Sequence, residues 1–449
     1  MDTSELKSGR MVYAWRFAAA AAAAMVFTSP AFAGNQQQQQ QQPPPPERPA
    51  TASSAMQVSR DLFSETAHIK NDLKRYLYLR DVMPQLTRDD RLIDQQLLST
   101  VDDELGLYDE AINDFPFDNR VQTPVPLPAP ADWQIADAAT EIAKLATDRH
   151  IVMINEAHHD AHTRELTLAL LPKLRAEGFT YFAAEALGNN DKELMRRGYP
   201  VATSGSEYLH EPLYGQIIRE AIRLGFKVVA YESEADVLAD REAGQARLLY
   251  EQVFAKDPKA KLFVHAGYAH IDKAPGNLGG TIKPMAMQLK QLSGFDPLSI
   301  DQTRWRDIGP MPKKDLYNQL SALFPVERPS VLISRQNGSV WASDPVRHDV
   351  DVILPPSGHQ RRPHWLSLDD TRQTRVISSE MCQRQLPCVI EARYANESDD
   401  AIPVDRYVFT ADNNINSIYL WPGEFKITAH DREGRKVSER NITVEKPSS

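Results

Sequence analysis

Three histidines fall within five residues in Glu156-Ala157-His158-His159-Asp160-Ala161-His162, directly after the β-type run Ile151–Ile154. An imidazole held by a carboxylate is a competent base near neutral pH, because the carboxylate sets its tautomer and stabilises the imidazolium that forms. Glu156 stands two residues before His158 and three before His159. His158 and His162 are four apart, so they share a helix face if the helix has begun by Asp160, a spacing that suits a metal or a base with its orienting partner. Further titratable groups follow the next β-type runs. Glu185 follows Thr180–Ala184, Glu232 follows Lys227–Tyr231, and Ala266-Gly267-Tyr268-Ala269-His270 follows Leu262–His265. Asp301 follows Leu298–Ile300, where a helix cap or loop residue is the plainer reading. No Gly-x-Ser-x-Gly elbow occurs and Ser204-Gly205-Ser206 has the wrong spacing, so direct attack by water fits better than a serine nucleophile.

What must position these groups is a parallel sheet. From about 133 to 358 the β-type runs alternate with helical stripes, such as Leu166, Leu170 and Leu174 before Gly178 and Ile217, Ile218, Ala221 and Ile222 before Gly225. In such a sheet the strand ends share one edge, the carboxyl edge, where ligands bind in α/β folds. The expected fold is therefore α/β, a mainly parallel sheet with flanking helices, together with an N-terminal helical hairpin and a C-terminal all-β sandwich. Residues 1–33 read as a signal peptide, since Arg16 precedes a short apolar run that ends in Ala31-Phe32-Ala33. Residues 34–55 read as a disordered Gln/Pro-rich tether, 56–123 as the helical hairpin, 124–358 as the α/β domain of catalytic type, and 359–449 as the β-sandwich.

Charge and cysteine content narrow the partners. The chain carries 51 Lys+Arg against 61 Asp+Glu, a formal charge of −10 with no basic block, which argues against nucleic acid as a partner. No segment after the leader offers about twenty apolar residues, so no transmembrane segment is expected. The leader predicts export, to the periplasm or beyond, into an oxidising compartment. There Cys382 and Cys388, with five residues between them in a strand-turn-strand pattern, are expected to form a disulfide bond.

The stretch from Glu156 through His162 to Glu165, followed by an apolar helix, Gly178-Phe179 and a strand ending before Glu185, resembles the first motif block of the erythromycin-esterase-like, ChaN (haem-uptake) and Tiki superfamily. Arg241-Glu242-Ala243-Gly244-Gln245-Ala246 is similar to its Arg-Glu-x-x-Met-Ala helix, and Lys261–His270 to its closing strand, which runs into a motif histidine. Pro284–Leu289, leading to Gly294, is similar to its last helix. The resemblance covers roughly 140–355. It implies Glu156 as the first acid, with His158 in the E-x-H spacing of the haem-uptake branch and His159 in the E-x-x-H spacing of the esterase branch. It further implies Glu185 as the second carboxylate, Arg241 as the helix arginine and His270 as the closing histidine. His162, Glu165, Glu232, Glu242, His265 and Tyr268 stand in supporting or ligand-binding positions around them.

The activity expected from this set is hydrolysis of an ester or amide in a small-molecule or peptide substrate. Glu156 or Glu185 would orient His158 or His159 as base, and Arg241 or His270 would stabilise the oxyanion. Two alternatives stand beside it. One is a Tiki-like metal-dependent hydrolase or peptidase with Zn or Mn on His158, His162, Glu185 and His270. The other is a ChaN-like periplasmic protein for haem or iron uptake, with His270 or His265 as axial ligand and Tyr268 in contact. The C-terminal β domain, which shows no catalytic grouping, is the expected place for a protein partner. The cysteine reading is checked by thiol titration: denatured, unreduced protein should show no reactive thiol, and two titratable thiols would refute the bond.

Overall fold

The computed structural model describes residues 60–117, 125–309 and 315–446; the expected leader and tether lie outside them. Eight strands form the central sheet: β1 (Trp133–Asp137), β2 (Ile151–Glu156), β3 (Tyr181–Ala184), β4 (Lys227–Ala230), β5 (Leu262–Gly267), β6 (Leu298–Trp305), β7 (Ser330–Ser334) and β8 (Val350–Ile353). Their order is β1-β7-β8-β6-β2-β5-β3-β4. β2 pairs in parallel with β5 and β6, β3 with β4 and β5, and β6 with β8, while β7 pairs antiparallel with β1 and β8. The chain is α/β with a mainly parallel sheet.

Both faces of that sheet are covered, which is why Ile151–Glu156 and Leu262–Gly267 are buried along their whole lengths. Alternation sorts the side chains. Val152, Ile154, Phe182 and Phe263 pack with Leu166, Leu170 and Leu174 of helix His162–Ala176 and Ile217 and Ile218 of helix Pro212–Arg223. Ile151, Met153, Ala183 and Val264 face Ala246 and Leu249 of helix Leu238–Leu249 and Leu289 of helix Met285–Ser293. β5 comes late in the chain yet lies between β2 and β3, with Glu156 opposite Gly267 and Ala184 opposite His265. The segments after these three strands therefore meet.

The N-terminal region is not the expected two-helix hairpin. Its described part holds four helices, Leu62–Thr66, Asp72–Val82, Arg88–Glu104 and Tyr108–Asp114. The break before the last falls at Gly106, whose φ of +73° suits glycine, and an added Cβ there would lie 2.8 Å from the Arg406 carbonyl oxygen. Leu73, Tyr76, Leu98, Val101 and Leu105 pack against Val389 and Val408 of the C-terminal region.

That region has a four-stranded antiparallel sheet, in the order β11 (Asp405–Phe409), β10 (Cys388–Tyr394), β13 (Gly423–Asp431), β14 (Lys436–Val444). A two-stranded sheet of β9 (Gln373–Ser378) and β12 (Ile415–Leu420) shares its core, in which Ile377, Ile418 and Leu420 meet Ile390, Phe425 and Ile427. A disulfide joins Cys382 to Cys388 with a Cα–Cα distance of 5.9 Å. It spans the turn between β9 and β10, in different sheets, rather than the two arms of a hairpin. Among the described residues no helix is long and apolar enough to cross a membrane.

His210 ties the helices to the sheet domain. Its Nδ1 lies 3.0 Å from Asp72 Oδ1 and its Nε2 3.1 Å from the Ala202 carbonyl oxygen. Burial disfavours the charged ring, but Asp72 outweighs it and holds His210 up at about 9. A raised histidine contributes stability that is complete below its unfolded value and lost as pH rises through the folded one. The melting temperature should therefore fall as pH is raised from about 6.5, the ordinary imidazole value, through about 9, with His210 accounting for on the order of 3 kcal/mol. His210→Gln should flatten part of that slope. The remainder falls to groups such as His348, where burial is likewise outweighed by Asp301 and Asp272 and the ring is held at about 9. An identical slope in the variant would refute this account of the junction.

Candidate active site

Glu156, the last residue of β2, is buried and holds three partners. Its Oε1 lies 2.8 Å from His158 Nδ1, and its Oε2 accepts from Arg164 Nε at 2.6 Å and lies 3.1 Å from His265 Nε2. Burial pushes the carboxyl up, but Arg164 and His265 outweigh it and keep Glu156 well below the usual carboxylate range. With Nδ1 turned to Glu156, the His158 ring carries Nε2 on its far side, beside Gly267. It is sandwiched by aromatics, stacked on Tyr208 at 4.0 Å between centroids and meeting Tyr268 edge-on at 5.2 Å.

Glu185, after β3, occupies the centre. Its Oε2 accepts from the Gly267 N–H at 2.5 Å, and its Oε1 accepts from Arg241 Nη2 at 2.7 Å and lies 3.5 Å from His270 Nε2. Burial alone would raise it, yet His270, Arg241 and His158 bring it down to about 2. Arg241 is committed on every nitrogen: Nε and Nη2 donate to Glu232 at 2.8 and 2.5 Å, Nη2 also donates to Glu185, and Nη1 lies 3.2 Å from His270 Nε2. Gln245 Nε2 donates to Glu232 as well.

A second His–Glu pair mirrors the first. His270 Nδ1 lies 2.5 Å from Glu242 Oε1, and Glu242 Oε2 accepts the Met285 N–H at 2.7 Å, at the start of helix Met285–Ser293. Burial lowers His270, but Glu242 and Glu185 outweigh it and hold the ring above its ordinary value. Neutral, its Nε2 accepts from Arg241; protonated, it faces Glu185. The ring can change charge where it stands.

The remaining sequence candidates divide. Tyr268 and His265 are in the cluster, the latter with Nδ1 3.0 Å from Thr167 Oγ1. His159 points away from Glu156. Its Nδ1 lies 3.0 Å from Tyr268 Oη, its Nε2 3.4 Å from Arg306 Nη2, and Phe115 stacks on it at 3.5 Å. Burial and Arg306 depress it, so it is neutral at pH 7. His162 does not share a face with His158, because the helix begins at His162 and a bridge between Ala157 and Asp160 closes a turn before it. His162 instead lies 3.3 Å from Glu165 and stacks on Trp365, outside the site with Glu165. Asp301 lies within β6, not after it, and accepts from Asn155, Thr303 and Arg304, a structural role.

These positions decide the fit of metal and haem. His162 lies against Glu165 and Trp365, and the His270 Nε2 that faces Glu185 also lies 3.2 Å from the Arg241 guanidinium, so the four residues considered for Zn or Mn do not make a ligand set. Among the described residues, Asp72, Glu104 and His210 are the His/carboxylate group whose donor atoms all lie within 4.8 Å of one another, and Arg75 pairs with both of its carboxylates. His265 and His270 have both ring nitrogens against protein partners, which leaves neither shaped as an axial haem ligand.

Sequence reasoning missed Arg164, Asp103, Glu211 and Tyr208. Arg164 also donates to Asp103 Oδ2 at 2.6 Å and to the His158 carbonyl oxygen, and lies 3.2 Å from Glu211. An Arg in the first turn of a helix ordinarily reads as solvated, and only its position eight residues after Glu156 hinted otherwise. Asp103 lay in a region assigned to a separate hairpin.

No protein-family model and no curated protein matches this chain. Among solved structures, one described as bacterial protein toxins is 17% identical with a TM-score of 0.27, covering 34% of this chain and 36% of its own. RRSP, a MARTX toxin effector domain from Vibrio vulnificus CMCP6, is 18% identical with a TM-score of 0.27, covering 34% and 35%. A further bacterial toxin structure is 18% identical at 0.27, covering 51% and 45%. This chain covers less than half the length of each, and likeness at that level carries no argument about activity.

Gly267 yields the direct test of this packing. Its φ of −78° suits any residue, yet an added Cβ would lie 2.3 Å from His158 Nε2 and 3.3 Å from Glu185 Oε2. Gly267→Ala should cost about 1–3 kcal/mol by overpacking and shift the His158 imidazole signals in NMR spectra. An unchanged melt with unchanged imidazole signals would mean that the rings have room to spare.

Proposed function

We propose that the protein is an exported hydrolase that cleaves an ester or amide bond by direct attack of water, without a metal. The observation that carries this reading is the pair of His–Glu dyads, His158–Glu156 and His270–Glu242, set on either side of the Glu185–Arg241 ion pair. Hydrolysis of an amide needs a base for the attacking water and an acid for the departing nitrogen, and the two dyads supply one each. His158 is the base: Glu156 takes its Nδ1–H and stabilises the imidazolium formed when Nε2 accepts the proton. His270, whose ring Glu242 and Glu185 hold above its ordinary value, is the acid. Arg241 positions Glu185 and accepts none of the chemistry itself. The resemblance to the erythromycin-esterase-like superfamily points the same way, with a small molecule or a peptide as substrate.

The test is a screen of ester, amide and peptide substrates with wild type, His158→Ala, Glu185→Gln and His270→Ala. Each variant should lose about 10²–10⁴-fold in kcat with little change in melting temperature, and dialysis against a chelator should leave the wild-type rate intact. Activity should fall on the alkaline side as His270 gives up its proton, at a pH above the ordinary imidazole range because its folded value is raised. Variants that lose stability in step with activity would assign these residues to the fold, and a chelated enzyme revived only by Zn or Mn would replace this reading with the metal-dependent one.

A further inference from the structure

The proposed reaction leaves one requirement unmet. A tetrahedral intermediate needs hydrogen-bond donors aimed at its oxyanion, and Arg241, the obvious cation, has Nε and Nη2 committed to Glu232 and Glu185, with Nη1 against the His270 ring. Tyr268 meets the need. Its oxygen lies 3.0 Å from His159 Nδ1, and the direction of that bond is decided by the far side of the same ring. Arg306 Nη2 lies 3.4 Å from His159 Nε2, and a guanidinium only donates, so Nε2 is the acceptor. A neutral His159 then carries its hydrogen on Nδ1 and donates it to Tyr268. The phenol oxygen accepts that bond, and no described residue accepts the phenol's own proton.

The backbone shows that this ring is held in place. Tyr268 has φ +40°, a conformation that bulky residues avoid, and Asn155 Nδ2 donates to its carbonyl oxygen at 3.0 Å, clamping the turn to β2. The strained turn sets the phenol ring edge-on to the His158 ring, the proposed base, at 5.2 Å between centroids.

We infer that Tyr268 is a catalytic residue, the donor that binds the oxyanion of the tetrahedral intermediate; this rests on the hydrolase reading. Water attacks the carbonyl carbon while its proton passes to His158 Nε2, and the carbonyl π pair moves to the oxygen, which accepts the Tyr268 hydrogen. Collapse breaks the bond to the leaving group, which takes a proton from His270 Nε2. The two imidazoles then return to their starting charges by exchanging protons with solvent. Water and amide or ester are consumed, and acid and amine or alcohol are released.

Tyr268→Phe removes the donor and keeps the ring. With a substrate from the screen, kcat should fall about 10²–10³-fold with KM changed less than about threefold, because the donor acts on charge that develops only in the transition state. Binding of a phosphonate analogue of that substrate, measured by calorimetry, should weaken by a similar factor. A variant with wild-type kcat and wild-type phosphonate affinity overturns the assignment and leaves the hydrolase reading standing. A loss confined to KM, or one tracking a fall in melting temperature, also overturns it, since it would mark a packing role through His159. A wild-type protein that turns over nothing in the screen and binds no phosphonate overturns the hydrolase reading and this inference together.

Discussion

The buried guanidinium of Arg164 is the charge on which the rest depends. It meets Glu156 from the end of β2, Asp103 from the N-terminal helices and Glu211 from the segment before helix Pro212–Arg223, all buried. One cation among three carboxylates is short of positive charge, and Asp103 absorbs the difference: burial and Glu211 outweigh Arg164 and keep its carboxyl protonated well above the usual range. Glu156, as close to the guanidinium as Asp103 but also against His265, stays ionised and can hold His158. Losing one partner of such a buried arrangement typically costs about 3–5 kcal/mol, because the other charges are left uncompensated. The ionisation of the first dyad is thus a property of three chain segments together.

The same logic acts on His270, which has Glu242 behind it. His270 also faces Glu185, which is held down at about 2, and Arg241 keeps Glu185 in place through Glu232. His159, although adjacent to His158 in the chain, lies against Arg306 and is driven neutral by burial and that charge. His270 and His159 are thereby shifted in opposite directions, which is what acid–base chemistry at one pH draws on.

The N-terminal helices belong to the site rather than to a separate module. Asp103 reaches Arg164 and the Ala161 N–H, Tyr108 Oη donates to Glu211, and Phe115 stacks on His159. Their other contacts run through Asp72 to His210 and Arg406, which fastens the short Glu207–His210 segment carrying Tyr208 over His158. The C-terminal sheets brace the helices from behind, through Val389 and Val408.

Local sequence determined much of this: the β-type runs with crossover stripes between them, hence the parallel sheet, and the polar residues at its carboxyl edge, hence Glu156, His158, Glu185 and His270 in one place, whereas Arg241, on a helix, was pointed to by the family resemblance alone. Those follow from short-range periodicity, which survives in any fold that pairs the strands in parallel. The cysteine pair, six apart, was legible for the same reason. Strand order was not legible, and it is strand order, with β5 between β2 and β3, that brings His270 to Glu185. The start of helix His162–Ala176 was not legible either, and its position sends His162 to Trp365 and away from His158. Nor did spacing reveal the partners of Arg164, which lie 61 and 47 residues from it in the chain at Asp103 and Glu211. A carboxylate's charge state is set by what surrounds it within a few ångströms, through burial and Coulomb interactions that no linear pattern encodes. Sequence alone therefore determined which groups stand at the edge of the sheet, and the tertiary structure alone decided which of them hold protons.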